Sequence, residues 1–333
     1  LQAQIASDQI ASQANGHVLV RLGDTTVLVT AVMSKKPREG GDYFPLMVDY
    51  EEKYYAAGKI LGSRFIKRES RPSEEAVLSG RLIDRTIRPR FDMRMRNDVQ
   101  IIATILSLDD ENDSDMPSLL GASLALSLSD IPWDGPVAGV RIARKNGEWL
   151  ISPAFAERAS SEIDMVVSGT TDKINMIEAG AKEIPESDVV RGLNLAHAEI
   201  KKLIAFQKEI IAANPPVKTS VPLMASSGPL HDALVADFSK KTEGAMWDKD
   251  KTARNEKLAA VKGEWQEYAK KEFPESTSAE IEHLWGNELD AILHRKILDE
   301  GERPDGRKTG ELRELYAEAA FLPRVHGSGL FIR

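Results

Sequence analysis

GHVLVRLGDTTVLVTAVM, residues 16–33, is the stretch from which the fold can be worked out. Apolar and β-branched residues flank the pair Gly23-Asp24 on both sides, a pattern typical of two strands joined by a tight turn. The stretch therefore predicts a β-hairpin. A second hairpin is predicted further along the chain, where Asn146-Gly147 stands between two apolar stretches and gives the strongest short hairpin signal in the sequence.

Further strands and helices are predicted around these hairpins. The apolar run at 99–108 is typical of a strand that is buried on both faces. Small residues in 117–129 predict a helix that packs closely against its neighbours, and 187–213 predicts a long amphipathic helix. The remaining strand candidates are DYFPLMVDYEEKYYA at 42–56, EIDMVVSG at 162–169 and KINMIEAG at 173–180.

The order of these elements divides the chain into segments of different composition. The predicted segments are a mixed α/β domain at 1–213, a linker rich in proline and serine at 214–229, an all-helical domain at 230–299, and a connector with the start of another domain at 300–333. HGSGLFIR at the end of the chain echoes NGHVLVRL at 15–22, which suggests a second α/β domain like the first. The chain starts at Leu1 without Met and stops in an apolar run, so both ends are expected to be truncated.

The composition excludes several classes of protein. The 333 residues are 42% hydrophobic and 29% charged, as in ordinary globular proteins. No stretch approaches the ~18 unbroken apolar residues of a membrane span, so no membrane partner is expected. The chain contains no cysteine, which excludes disulfides and thiolate metal sites and fits a reducing compartment.

The basic residues are concentrated in one segment of an acidic chain. The formal net charge is −8, yet eleven basic and five acidic residues give the segment from Lys59 to Arg96 a net charge of +6. Such a local concentration of positive charge suits polyanionic ligands better than the sequence pI of 5.5 suggests.

The second half of this basic segment predicts a helix. Ser73 is a plausible N-cap, and the helix should end before Pro89. The spacing places three arginines on one face, with Asp84 able to pair with two of them, Arg81 and Arg88. The arginines are Arg81, Arg85 and Arg88, and Leu78, Leu82, Ile83 and Ile87 lie around the other side. We interpret Arg85, Arg88 and Arg90 as mainly structural.

The first half predicts a loop that can bind a polyanion. Its cations have few acidic neighbours in sequence, and an aromatic ring among them can stack on a base while the cations contact phosphates. The candidate residues for binding such a polyanion are Arg64, Phe65, Lys67, Arg68 and Arg71. The alternative is a structural ion-pair network or a solvated face.

Motifs of other chemistries are weak or incomplete. No P-loop, GxGxxG or GxSxG pattern occurs, and the six histidines show no metal spacing. The acidic run 109–115 imitates the start of an EF-hand but lacks its Gly and Glu, so we interpret it as a solvated loop. Glu162 and Asp164 share a face of a predicted strand and are a weak candidate for a two-metal site.

Several phrases, taken together, resemble bacterial polyribonucleotide nucleotidyltransferases (polynucleotide phosphorylases). They are GDTTVLVTAV (23–32), YFPLMVDYEEKYYAAGKI (43–60), KRESRPSE (67–74), RLIDRTIRPRF (81–91), GASLALSLSDIPWDGPV (121–137), ILDEGERPDGRK (297–308) and LPRVHGSGLF (322–331). The resemblance implies an α+β, RNase PH-like core (ribosomal protein S5 domain 2-like) at 1–213, an all-helical domain, and the start of a second RNase PH-like core.

The same resemblance implies an activity. The family degrades single-stranded RNA from the 3′ end in the cytoplasm, uses inorganic phosphate as co-substrate, requires Mg²⁺ and releases nucleoside diphosphates. It forms a homotrimeric ring around a central channel, and degradosome proteins are candidate partners. The rival interpretation is a non-catalytic RNA-binding ring subunit of an exosome-like assembly. An unrelated small-molecule enzyme is a further alternative.

The resemblance also assigns residues. The family's chemistry resides in the second core, where the pattern is Asp, five residues, then Asp-x-Asp-x-Lys. The corresponding first-core positions are Ala156, Glu162, Asp164 and Val166, so the first carboxylate and the lysine are absent. We therefore expect no catalytic residue and no metal site in this chain. The family's RNA-holding loop, close to Phe-Phe-Arg-Arg, corresponds to Phe65-Ile66-Lys67-Arg68, with one ring replaced by Ile.

Overall fold

The computed structural model describes residues 2–5, 10–38, 41, 43–60, 62, 71–109, 111–224 and 227–333. The chain forms two compact units, a first that ends at Leu223 and a second made mainly of Met224–Arg333.

The described part of the first unit contains two β-sheets. One has the strand order β1-β2-β3-β5-β4, and only its β4–β5 pair is parallel. Its strands are β1 (Gln2–Ile5), β2 (Gly16–Leu22), β3 (Thr25–Pro37), β4 (Leu46–Glu51) and β5 (Asn97–Ser107). The other sheet is antiparallel with the order β7-β6-β8-β9, from β6 (Ala138–Lys145), β7 (Glu148–Ile151), β8 (Ile163–Gly169) and β9 (Ile174–Ala181).

Both predicted hairpins are confirmed. Gly23 joins β2 to β3 with φ +61°, in the left-handed region that favours glycine. Asn146 and Gly147 join β6 to β7 with φ 52° and 80°, the two positive values that a type I′ turn requires.

The helices of the first unit are α1 (Glu74–Ile87), α2 (Asp115–Leu128), α3 (Phe155–Ala159) and α4 (Glu186–Ala213). Helix α2 contacts β2 and β3 of one sheet and β6 of the other, so it is buried on all sides. Close packing depends on glycine on both sides of the contact. A Cβ on Gly16 would lie 2.1 Å from the carbonyl oxygen of Ala125, and one on Gly121 would lie 2.5 Å from Val29 Cγ2.

Strand β5 is not buried on both faces as predicted. Val99, Ile101, Ala103 and Ile105 are buried, whereas the residues between them are partly exposed. The reason is that α1 and α2 cover one face of the sheet within this unit. A strand can pair with neighbouring strands on both edges without being buried on both faces. The apolar run of β5 reflects its position between β3 and β4 in the sheet.

Helix α1 begins as predicted. Ser73 Oγ accepts a hydrogen bond from the backbone N–H of Ala76 at 3.0 Å, and the helix gives way to a 3₁₀ turn at Arg88–Arg90. The predicted apolar side is wrong at one position, since Leu78 is 57% exposed. At 3.6 residues per turn, Leu78 lies about 140° around the helix axis from Ile83, away from the face that Ile83 and Ile87 bury.

The second unit is mainly helical in its described part. Its elements are α5 (Pro229–Ala233), a π-helical turn (Leu234–Phe238), α6 (Ser239–Met246), α7 (Lys251–Glu272), α8 (Ser278–Arg295), a π-helical turn (Lys296–Glu300), and the antiparallel strands β10 (Tyr316–Ala319) and β11 (Gly329–Ile332). Trp265 is fully buried at the centre of the helical core, among Phe238, Leu284 and Trp285. Among the described helices of the chain, none is long and apolar enough to cross a membrane.

The start of the predicted linker is attached to the first unit. Lys218 Nζ donates to the carbonyl oxygens of Leu126 and Ser129, both at 2.8 Å, at the carboxyl end of α2. Thr219 adds a backbone hydrogen bond to the carbonyl oxygen of Asp130 at 2.8 Å. Burial lowers the pKa of Lys218 to about 8. Cations near the carboxyl end of a helix stabilise its unpaired carbonyl groups.

Candidate nucleic-acid interface

The predicted RNA-binding loop is described only at its end. Arg64, Phe65, Lys67 and Arg68 lie outside the described residues. Arg71 is described; it is exposed and precedes the N-cap of α1. Its side chain lines a cleft of about 850 Å³ at the carboxyl end of β4, which Lys59 also lines. The structure therefore places two cations of the basic segment at one cleft.

Three arginines in α1 and the 3₁₀ turn after it, Arg85, Arg88 and Arg90, have structural contacts instead. Arg88 donates to both carboxylate oxygens of Asp84, at 2.6 and 2.9 Å, and to the carbonyl oxygen of Leu46. Arg90 pairs with Asp134, and Arg85 pairs at 3.3 Å with Glu178. No described residue pairs with Arg81, so the predicted Asp84 contact forms with Arg88 alone.

The interpretation of the acidic run 109–115 as a solvated loop is wrong for Asp113 and Asp115, whereas Glu111 is exposed. Asp109 accepts hydrogen bonds from the backbone N–H groups of Asp24 and Asn112, at 3.0 and 2.6 Å. Asp113 and Asp115 point into the interior, where they meet Arg141. Asp109, Asp113 and Asp115 therefore make contacts within the fold.

Two arginines and three aspartates form a mostly buried cluster at this place. We call Asp113, Asp115, Arg141, Arg158 and Asp164 the Arg–Asp cluster. Arg141, whose side chain is only 11% exposed, lies 2.6 Å from Asp113, 3.2 Å from Asp115 and 3.3 Å from Asp164. Arg158 lies 3.0 Å from Asp113 and 2.9 Å from Asp164. The cluster joins α2, α3, β6 and β8.

The cluster has one carboxylate more than it has guanidinium groups. Burial, together with the charge of Asp113, raises the pKa of Asp115 to about 6. Sequence reasoning missed this cluster. The sequence signal that could have revealed the cluster is Arg141, which stands inside the apolar pattern of β6, because a buried arginine requires acidic partners.

The described first-core positions Glu162, Asp164 and Val166 do not fit a Mg²⁺ ion. Both oxygens of Asp164 lie 3.3 Å from Arg141, and Glu162 pairs with Arg144. Val166 is buried and offers no oxygen ligand. In the part of the chain that the structure describes, no group of three or more His, Asp or Glu side chains could hold a metal ion.

Comparison with known proteins accounts for nearly the whole chain. The models "3′ exoribonuclease family, domain 1" and "domain 2" match residues 2–132 and 135–199, and "Polyribonucleotide nucleotidyltransferase, RNA binding domain" matches 229–308. Curated polyribonucleotide nucleotidyltransferases of Heliobacterium modesticaldum and Bacillus mycoides are each 45% identical to it, over 99% and 100% of this chain. The chain belongs to the polyribonucleotide nucleotidyltransferase family. It spans about half the length of these relatives, 46% of each.

The family assignment confirms the predicted fold class. RNase PH domains 1 and 2 correspond to the two sheets with their helices, and the third match covers most of the helical unit. A solved structure described as an Archaeoglobus fulgidus exosome with RNA bound to the active site is also similar, with a TM-score of 0.49 and 20% identity over 61% of this chain and 86% of that one.

The Arg–Asp cluster predicts that the stability of this chain depends on pH. The folded chain retains the proton of Asp115 up to about pH 6, whereas the unfolded chain releases it near the ordinary value of 3.8. The contribution of Asp115 to the free energy of unfolding therefore falls as the pH rises from about 4 to 6, by about 3 kcal/mol.

We expect Asp115→Asn to remove this dependence. Urea unfolding of both chains at pH 4.5 and 7.5 should show the variant gaining about 2 kcal/mol relative to the parent at the higher pH. The exposed Asp98→Asn is the control and should show no such gain. An equal difference between parent and Asp115→Asn at the two pH values would contradict the assignment.

Proposed function

We propose that this chain is the RNA-holding part of a polyribonucleotide nucleotidyltransferase, an enzyme of mRNA turnover that shortens single-stranded RNA from its 3′ end. Phosphate attacks the terminal linkage and a nucleoside diphosphate leaves. The observation that supports this most directly is 45% identity, over nearly the whole chain, to curated relatives of that name. Since the chain spans 46% of their length, the activity belongs to the longer polypeptide.

The first core would hold the RNA through the basic segment. Arg64, Lys67, Arg68 and Arg71 would neutralise phosphates, and Phe65 would stack on one base. The contacts of Arg88 with Asp84 and of Arg90 with Asp134 support this assignment, because they engage these two arginines within the fold. Such binding is independent of sequence and weakens with salt, because bound phosphates release their counterions.

The chemistry would reside in a second RNase PH-like core. Mg²⁺ and inorganic phosphate would act there, since the first-core carboxylates are committed to arginines. Threading of the RNA through a homotrimeric ring would select single strands. The absence of cysteine fits a cytoplasmic location, where degradosome proteins would be partners.

The test uses this chain with 5′-labelled oligo(A), phosphate and Mg²⁺. We expect binding without ADP release, and an affinity that falls about 20-fold between 50 and 200 mM salt if roughly three phosphates are contacted. K67A/R68A should weaken binding about tenfold. K201A/K208A, which removes two exposed charges from α4 of the same unit, should not.

Two outcomes would contradict the proposal. ADP release by this chain would mean that the first core has an active site of its own. A full-length polypeptide that binds oligo(A) but releases no ADP would favour the non-catalytic ring subunit.

A further inference from the structure

The cleft beside Arg71 has the size of a small-molecule site. Its volume of about 850 Å³ lies within the range of roughly 300–1,000 Å³ that is usual for ligand pockets. It opens between the carboxyl end of β4, the 3₁₀ turn at Tyr54–Ala57 and the beginning of α1. The backbone N–H of Leu108 donates to the carbonyl oxygen of Ala56 at 2.8 Å, which fixes the turn against the end of β5.

The acidic side chains of the cleft are already engaged. Glu51 lies 2.9 Å from Lys53, and Glu52 accepts a 2.7 Å hydrogen bond from Ser73 Oγ. Lys59 and Arg71 also line the cleft, and neither has an acidic partner among the described residues. The two exposed cations are therefore available to an anionic group.

The interior of the cleft is apolar with one polar pair. Ala56, Ala76 and Ile105 are buried at its floor, and Tyr54 lines its wall with half of its surface exposed. Tyr50 Oη and Ser114 Oγ lie 2.6 Å apart at the same cleft. Burial raises the pKa of Tyr50, so the phenol keeps its proton at neutral pH and both hydroxyls remain hydrogen-bonding groups.

A ligand that matches this surface is flat, partly apolar and anionic at one end. An inorganic anion would leave the apolar floor and the Tyr54 ring unused. A purely apolar ligand would leave Lys59 and Arg71 unused and the hydroxyl pair unmatched. An aromatic base joined to a sugar and a phosphate satisfies all three parts of the cleft.

We propose that this cleft binds a nucleoside phosphate, with the base against Tyr54 and the apolar floor and the phosphate between Lys59 and Arg71. The ligand is either a free nucleotide or one unit of an RNA strand. This proposal rests on the proposed function at one residue, Arg71, which is assigned to the RNA-binding loop and also to the cleft. Lys59 and Tyr54 belong to the cleft and not to the RNA-binding loop, so they are the residues to substitute in the test.

The experiment measures AMP binding to the chain by equilibrium dialysis, with ribose 5-phosphate and inorganic phosphate as comparison ligands. We expect AMP to bind at submillimolar concentration and at least tenfold more tightly than either comparison ligand. Lys59→Glu should weaken AMP binding about tenfold or more, whereas Lys59→Arg should stay within threefold of the parent. Tyr54→Phe should bind AMP like the parent, and Tyr54→Ala should bind it about tenfold more weakly.

Oligo(A) distinguishes the two sources of the ligand. If the cleft takes a unit of the strand, Lys59→Glu weakens oligo(A) binding and AMP competes with oligo(A). If it takes a free nucleotide, Lys59→Glu weakens AMP binding alone. Both results support the site. Lys201→Glu is the matched charge reversal and should change neither, and equal thermal unfolding midpoints would show that the variants are folded.

The proposal is overturned if AMP does not bind at 5 mM, or if it binds Lys59→Glu and the parent equally. Its failure can be told apart from failure of the proposed function. If K67A/R68A loses oligo(A) binding and neither the parent nor any variant binds AMP, the cleft proposal is contradicted and the RNA-binding loop is supported. If Lys59→Glu abolishes AMP binding and the chain shows no salt-sensitive oligo(A) binding, the cleft is supported and the RNA-binding loop is contradicted.

Discussion

Replacing Arg141 by Met is expected to lower the free energy of unfolding by about 3–5 kcal/mol. The side chain of Arg141 lies within 3.3 Å of Asp113, Asp115 and Asp164, and all four side chains are mostly buried. Methionine fills similar volume but leaves Arg158 as the remaining cation against three carboxylates. Buried charges without partners are costly, because the interior does not replace the water that they lose. Urea unfolding followed by circular dichroism measures the effect.

Arg85→Met is the matched control for this prediction. Arg85 pairs with Glu178, but both side chains are about half exposed, 53% and 54%. Pairs of this kind contribute at most about 1 kcal/mol, so the control should unfold nearly like the parent. If Arg141→Met and Arg85→Met cost the same, the Arg–Asp cluster is not a buried structural unit.

Replacing Trp265 by Ala is expected to cost about 3–5 kcal/mol in the helical unit. Trp265 is fully buried, its ring lies 5.4 Å from that of Phe238, and its Nε1 donates to the carbonyl oxygen of Ile281. Removing the ring leaves a cavity that the surrounding helices fill only in part. Limited proteolysis of the chain should show cleavage within 229–300 at lower urea concentration than in the parent.

Val235→Ala serves as the control in the same unit. Val235 is 43% exposed, next to a buried residue of the same π-helical turn, so its truncation removes little buried surface. Cleavage at the same urea concentration in Trp265→Ala and the parent would show that Trp265 does not hold the helical core together.

The sequence predicts best what is decided over a few neighbouring residues. The Gly23 and Asn146-Gly147 turns, the Ser73 cap and the end of α1 at Pro89 are all confirmed, because each depends on local backbone preferences. The periodicity of α4 likewise predicts its extent within one residue at the start. These signals are sufficient for the fold class, which the family matches also support.

What the sequence could not predict are contacts between distant parts of the chain. Spacing alone does not show that Asp113 and Asp164 share Arg158, nor that Lys218 reaches the end of α2. The alternating burial of β5 has the same origin, since it depends on which face the helices cover. For the candidate site, the resemblance points to the loop at 64–71, whereas the cleft that includes Lys59 emerges only when β4, β5 and α1 are assembled.

The Arg–Asp cluster also determines how this core could acquire a new chemistry. A divalent cation needs several carboxylate oxygens that no other cation holds. Adding a carboxylate at Ala156 would leave the oxygens of Asp164 bound to Arg141 and Arg158, and removing either arginine first would unbalance the buried charge. Any single substitution on such a route is therefore silent or harmful, and only coordinated replacement of several residues would succeed. In evolutionary terms the cluster acts as a ratchet, which makes the gain of a metal site in this core difficult.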